Sequence, residues 1–313
     1  MAKIIREDFT FLSNDKKHNI SCFSIYPEAP KAIIQIEHGI VEHKERYVAF
    51  AEEMAKRGFA VFADDHLGHG KSATKEDYGW FCEKNGWNTV CEDILTLREI
   101  ATKKFPNIPF ILLGHSMGSF LSRTVAINNS ELIDLLVLSG TGEQSPVIVA
   151  LGKMVSKIEK LRLGGKGKSK LILTMAFAPY SKPFKPNRTE YDWLSRDNSV
   201  VDNYIADDSC GGPPTIDLFY DMLCGLGYIG KKKNIKKIRK DLPIYIFSGD
   251  HDPVGNMGKG VTNIYNDYLS AGIKDVTMKL YEGGRHEMLN GPDKEKVINE
   301  LCEWLDKKLE VTK

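Results

Sequence analysis

The 313-residue sequence predicts an α/β fold: a mostly parallel central sheet with helices on both faces, interrupted by a helical cap insertion. Three observations predict it. Short apolar runs alternate with one-sided helical stripes up to Ser139, the alternation stops after Gly140-Thr141-Gly142, and it resumes at Leu242. Strands that alternate with helices run parallel, because a parallel pair needs a long crossover where an antiparallel pair needs only a tight turn.

Each element follows from its local pattern. Residues 9–13 and 20–26 are short strands, and Ala32–Glu37 is a stronger one. Residues 46–57 read as a helix stopped by Gly58, and 59–63 as the next strand. Over 87–102, Trp87, Val90, Cys91, Ile94, Leu97 and Ala101 recur at helical spacing, a stripe that packs on the core. Residues 109–113 and Leu135–Ser139 are fully apolar, as buried parallel strands are, and they flank a helix-compatible stretch at 119–128. Residues 143–234 hold helical apolar stretches (147–155, 171–177 and 216–226), a Gly/Lys loop at 164–168 and proline-rich turns, with no clear strand. Strand 244–248, a helix at about 261–270, strand 277–281 and a C-terminal helix 294–309 complete the chain. The economical division is a core in two parts, 1–142 and 235–313, around a helical cap or lid at 143–234.

Bulk properties exclude several function classes. Lys+Arg 43 against Asp+Glu 42 leaves a net charge of +1, which points to no nucleic-acid partner. Six scattered cysteines form no C-x-x-C pair and no zinc spacing, against a disulfide framework and a structural metal. The opening Met-Ala-Lys-Ile-Ile-Arg-Glu-Asp is charged and lacks a signal-like apolar region, and no apolar run approaches the about 18 residues of a membrane span. The expectation is a cytoplasmic enzyme with no metal or organic cofactor. The sequence sets no oligomeric state.

The chemistry is concentrated in Gly114-His115-Ser116-Met117-Gly118, a G-x-S-x-G at the end of an apolar run and the start of a helix. A serine on so sharp a turn is strained, and the residues two before and two after it must lack side chains. Its hydroxyl then stands clear of the backbone at the positive end of a helix, with the Met117 amide aimed at whatever it attacks. A serine needs a base, and the base needs a third group to orient it. In this arrangement the acid and then the histidine follow the serine, and of eight histidines only His251 and His286 do so. His286 sits in a glycine-loosened loop past strand 277–281, where an open α/β sheet displays its chemistry. The loop after strand 244–248 offers Asp250 and Asp252. Asp252, deeper and stiffened by Pro253, is favoured as the acid, while Asp250 reads as a turn residue and His251 as a loop histidine. A second oxyanion donor is expected in the loop after Ala32–Glu37, at the amide of Ile40, where Gly39 permits close approach.

His38-Gly-x-x-Glu42-His43-x-x-Arg46-Tyr47, Asp65-His66-x-Gly68-His69-Gly70-x-Ser72, Gly114-His-Ser116-Met-Gly118, Asp252-Pro-Val and Gly284-x-His286-Glu287 stand in this order over nearly the whole chain. Together they resemble the monoacylglycerol lipase and lysophospholipase group of α/β-hydrolases, of the serine aminopeptidase S33 type. The resemblance implies Ser116 as nucleophile, Asp252 as acid, His286 as base, and Ile40 and Met117 as oxyanion donors. It implies a small acyl-ester substrate, monoacylglycerol or lysophospholipid. Ile40 is bulkier than the small residue often found there and narrows the way in for an acyl chain. An aminopeptidase on the same core would need acidic cap residues to hold a substrate's amino terminus, and a non-catalytic binding protein would not need the whole triad. A dehalogenase would carry a carboxylate where Ser116 stands.

His38, His43, His66 and His69, with Asp64 and Asp65, lack a metallohydrolase spacing and read as hydrogen-bonded structural groups. Glu42, Arg46 and Tyr47 are expected to tie their loop down. The basic run Lys231–Lys233 through Lys236, Lys237, Arg239 and Lys240 reads as a solvated helix face, with transient docking on an anionic lipid surface as the sharper reading. The aromatic and apolar residues of 143–234 are read mostly as cap core, some of them lining an acyl pocket.

Overall fold

Eight strands form one sheet in the order β1-β2-β4-β3-β5-β6-β7-β8. They are β1 (Ile4–Leu12), β2 (Asn19–Pro27), β3 (Ala32–Glu37), β4 (Phe59–Asp64), β5 (Phe110–His115), β6 (Leu135–Ser139), β7 (Ile244–Gly249) and β8 (Val276–Tyr281). The computed structural model describes residues 3–311; the first two residues of the charged N-terminal segment lie outside that range. β3 to β8 pair in parallel, while β1 and β2 add an antiparallel edge beside β4.

The strands at the centre are apolar on both sides because both faces are covered. Ile33, Phe110, Leu112, Leu136, Leu138, Ile244 and Ile246 face one layer, with α2 (Gly86–Lys104), α3 (Met117–Asn129) and α9 (Lys259–Ser270). Ile34, Ile36, Ile111, Leu113, Val137 and Phe247 face the other, against α1 (Val48–Lys56) and α10 (Lys294–Val311). This alternation is the period of two that a doubly covered strand must show.

Between β6 and β7 the chain leaves the sheet and forms α4 (Pro146–Leu163), α5 (Lys170–Ser181), α6 (Asn198–Ala206), α7 (Ile216–Ile229) and the one-turn α8 (Lys232–Ile235). The four longer helices each start on a side-chain cap, from Ser145, Ser169, Asp197 and Thr215, which satisfies an otherwise orphaned N–H. α7 packs on α2, α3 and α4, anchoring the insertion over the end of β5.

The basic run differs from the continuous helix face expected. Only one turn of helix forms, Ile235 and Ile238 are buried, and Arg239 donates to the carbonyls of Ser130 and Ile133. Part of that charge therefore caps the neighbouring turn. The helix read at 46–57 is likewise two pieces, a 3-10 turn Lys44–Tyr47 followed by α1.

Candidate active site

Ser116 closes β5 and opens α3 at φ 53° and ψ −122°, a conformation that side chains rarely adopt. The two glycines are sterically required. A Cβ on Gly114 would come 2.4 Å from the Gly118 carbonyl oxygen, and one on Gly118 would lie 2.0 Å from that of Glu37. The turn can be this sharp only because α3 presses directly on β3. Met117 begins the helix, so its N–H belongs to the unpaired first turn.

His286 and Asp252 meet from the loops after β8 and β7. His286 Nδ1 donates to Asp252 Oδ2 at 2.9 Å, and both residues are buried. Asp252 also accepts from Ser248 Oγ and from the Val254 N–H, each at 2.9 Å. Burial alone would push Asp252 up, but the charge and hydrogen bond of His286, with Ser248 and Val254, hold it below its usual range. Burial likewise opposes a charged His286, yet Asp252, Glu287 and Glu42 raise it above its ordinary value. Ser116 and His286 line the same cavity of about 570 Å³, with Gly39, Ile40 and His115. Among the described residues no hydrogen bond joins the two.

The insertion positions the histidine. The amides of His286 and Glu287 donate to the carbonyls of Trp193 and Leu194 at 3.4 and 2.8 Å, and the Trp193 ring lies 5.1 Å from the imidazole. From the sequence Trp193 is one of the insertion's aromatic residues expected in the cap core or lining an acyl pocket, and no motif marks it as a partner of the imidazole. Gly140 supports the opposite side, where a Cβ would come 3.0 Å from the imidazole.

The loop after β3 is bound down by charge. Glu42 Oε1 accepts the Gly39 N–H at 2.5 Å and the Tyr47 hydroxyl at 2.9 Å. Arg46 joins Glu42 to Glu287, donating to the latter at 2.6 Å, and so ties the Ile40 loop to the histidine loop. Burial would raise Glu42, but Arg46 and His115, with the Gly39 N–H and the Tyr47 hydroxyl, together outweigh it and hold the carboxyl down to about 2. Gly39 lies against the nucleophile, where a Cβ would come 3.1 Å from that of Ser116. Glu42, Arg46 and Tyr47 thus tie the loop down as expected.

The remaining histidines find protein partners. His38 Nδ1 donates to the Gly39 carbonyl at 2.7 Å, and its Nε2 accepts the His66 amide at 3.0 Å. His69 Nδ1 donates to the Leu67 carbonyl at 2.9 Å, His66 sits beside Asp64, and Asp65 holds Lys44 Nζ at 2.6 Å. Asp250 is a turn residue, accepting from the Gly283 N–H at 2.8 Å, and His251 is exposed beside it.

A family model described as serine aminopeptidase, S33, matches residues 28–293. The chain belongs to that family. It is 27% identical over 284 residues to a monoacylglycerol lipase of Mycolicibacterium smegmatis, covering 88% of both chains. It is 26% identical over 313 residues to the monoglyceride lipase of Mus musculus, covering 97% of this chain and 92% of that one. A thermostable carboxyl esterase from Bacillus coagulans, solved in complex with glycerol, superposes with a TM-score of 0.91 at 30% identity, over 99% of each chain. These likenesses put the S33 chain in the monoacylglycerol lipase-like group of α/β-hydrolases and support carboxylic-ester hydrolase activity. No helix among the described residues is long and apolar enough to cross a membrane.

Proposed function

We propose that this chain hydrolyses single-chain acyl esters, monoacylglycerols first and lysophospholipids second, through Ser116, His286 and Asp252. The observation that carries the reading is the strained Ser116 facing, across one cavity, an imidazole whose Nδ1 is already engaged by a buried carboxylate. That bond leaves Nε2 of His286 free to take the Ser116 proton as the hydroxyl attacks the ester carbonyl. The oxyanion rests on the amides of Ile40 and Met117, and each such donor is worth about 2.7–4 kcal/mol. The alcohol leaves with the proton from His286. Water then attacks the acyl-enzyme, with His286 again as base.

Two cavities meet at Ser116 and divide the ester between them. The cavity of about 570 Å³ is bordered by Leu173, Phe177, Trp193 and Leu194 and also by Glu42, Asn187, Glu190 and Lys185, and these polar groups suit a polar alcohol. A second, of about 110 Å³, is lined by Phe120, Phe219, Met222, Leu223 and Leu226, which suit an acyl chain. Residues 143–234 act as the cap that supplies much of both linings. The relatives' names and the glycerol held by the Bacillus coagulans esterase favour a glycerol ester over a charged head group.

An amide-hydrolysing reading keeps one observation in its favour. Glu190, from the insertion, borders the larger cavity and would face a substrate ammonium, although Lys185 on the same lining offsets that charge. A hydrolysis screen tests both readings, with acyl lengths varied over glycerol, phosphocholine and simple alcohol leaving groups, and with aminoacyl amides. Turnover of the amides in preference to glycerol esters would sink the lipase reading, and substantial ester turnover by Ser116→Ala would sink the nucleophile.

A further inference from the structure

Two groups of three possible metal ligands gather their donor atoms within 4.8 Å of one another among the described residues. Glu37, Asp64 and His66 are sealed in the core, where burial beside Asp64 pushes Glu37 up to about 8 and the carboxylates, against burial, hold His66 up at about 9, so one imidazolium balances one carboxylate without an ion. His43, Asp207 and Cys210 are different: His43 follows Glu42 and Cys210 precedes Gly211 of the substrate-cavity lining, and His43 and Asp207 reach solvent while Cys210 is buried.

We propose that His43, Asp207 and Cys210 form a Zn²⁺ site that clasps the Ile40 loop to the insertion and inhibits ester hydrolysis. The donors are one imidazole nitrogen, one carboxylate oxygen and one thiol, a mixed N/O/S set that suits zinc over the hard cations magnesium and calcium. His43 Nε2 already stands 2.8 Å from Asp207 Oδ2, with side chains 12% and 37% exposed, so an ion reaches them from solvent and water completes the fourth position. Cys210 is an unpaired thiol, packed beneath them. Asp207 is pre-set: its Oδ1 accepts the Ser209 N–H at 2.8 Å and its carbonyl accepts the Cys210 N–H at 2.9 Å, folding aspartate and cysteine into one tight turn. Tetrahedral zinc ligands stand about 3.3–3.7 Å apart, so the cluster closes on an ion with side-chain shifts of about an ångström. On binding, the Cys210 thiol proton leaves to solvent and the His43 ring proton resides on Nδ1, which frees Nε2 for the metal.

The consequence for catalysis follows from what the two loops carry. Val41, between Ile40 and His43, is held at φ 50°, a strained angle for a β-branched residue, and its carbonyl accepts from the Gly211 N–H at 2.9 Å and the Tyr204 hydroxyl at 3.2 Å. Gly211, Gly212, Pro213 and Val41 all line the larger cavity. A zinc ion therefore cross-links the two walls between which substrate enters and product leaves, and it slows turnover by stopping them from parting.

The test uses the full chain, stripped with EDTA, dialysed, and titrated with ZnCl₂ by calorimetry and with CoCl₂ by absorbance. The expected result is one zinc per chain at micromolar affinity, a thiolate-to-cobalt charge-transfer band, and inhibition of a short p-nitrophenyl ester with the same midpoint as binding. Cys210→Ser and Asp207→Asn are each expected to weaken zinc by about tenfold or more while leaving zinc-free turnover within about twofold. Asp207 is half exposed, so its variant carries the test if Cys210→Ser fails to fold by circular dichroism. Absence of saturable zinc binding, absence of the thiolate band, or an unchanged inhibition midpoint in both variants would overturn the site.

Discussion

Glu42 accepts the backbone N–H of Gly39 at 2.5 Å, so a carboxylate, not the backbone alone, sets the turn that leads into Ile40. The same carboxylate holds the partly buried Arg46, which continues to Glu287 beside His286. The loop expected to bind the oxyanion and the loop carrying the expected base are thus one charged unit.

Removing Glu42 tests that unit. Glu42→Ala leaves Arg46 with only one carboxylate partner and frees the Gly39 amide, and breaking such a buried pair costs about 3–5 kcal/mol. Urea unfolding measures that loss. The accompanying kcat is expected to fall by about 10²–10³, the effect of one lost oxyanion donor. Glu42→Gln, which can still accept from Gly39, is expected to keep more activity than Glu42→Ala; equal activity in the two would show that the Gly39 bond does not position Ile40.

The raised position of His286 predicts the pH profile. Its neutral form is the base, and Asp252, Glu287 and Glu42 outweigh burial to favour the charged form. The acid limb of kcat/KM is therefore expected above the ordinary histidine value of about 6.5. The contribution to stability has the opposite sense: the histidine's part is present below about pH 6.5 and is lost as pH rises through its raised folded value, while the part from the lowered Asp252 is lost as pH falls into the acid range. Asp252→Asn is expected to lower turnover sharply and to move the limb down. A limb unmoved by that substitution would assign the titration to another group.

Strain at Ser116 gives a stability prediction that does not depend on the substrate. At φ 53° and ψ −122° the residue costs about 1–3 kcal/mol, a cost glycine would not bear. Ser116→Gly is expected to be more stable than Ser116→Ala by about 1 kcal/mol after its extra unfolded-state entropy, with both inactive. Thermal unfolding compares them directly, and an alanine variant at least as stable as the glycine variant would contradict the strain.

Legibility in the sequence followed the physics of each element. The boundaries of Ala32–Glu37 and Leu135–Ser139 were readable because these strands are apolar on both faces and end at abrupt changes of composition. β1 runs from Ile4, earlier than residue 9, because an exposed edge strand tolerates the Arg6-Glu7-Asp8 run that masks its alternation. α6 carries no apolar stripe, since Asn198, Ser199, Asp202 and Asn203 surround its few buried residues, and it went unread. The pairing of Asp252 with His286 was legible from chain order and loop position, and Asp250 in a turn followed from Gly249. Trp193 over the imidazole was not, because contact across about 90 residues leaves no local pattern.

The small apolar cavity behind Ser116 predicts a chain-length rule. Each buried methylene is worth about 0.8 kcal/mol, so kcat/KM is expected to climb about fourfold per added carbon while the chain fills the cavity. Beyond that the climb must flatten, because further carbons reach solvent or the polar residues Glu143 and Gln144 of the same lining. Met222, half-buried in that lining, controls where the break falls. Met222→Trp occupies the space of about two or three methylenes and is expected to move the break to correspondingly shorter chains, with kcat on the shortest esters unchanged. Leu223→Ala is expected to move it the other way, at a stability cost of about 2–5 kcal/mol for the space opened. Measuring kcat/KM over a series of p-nitrophenyl and glycerol esters reads both shifts. A break that stays at the same chain length in both variants would mean that the acyl chain lies in the larger cavity, on the side bordered by Asn187 and Glu190.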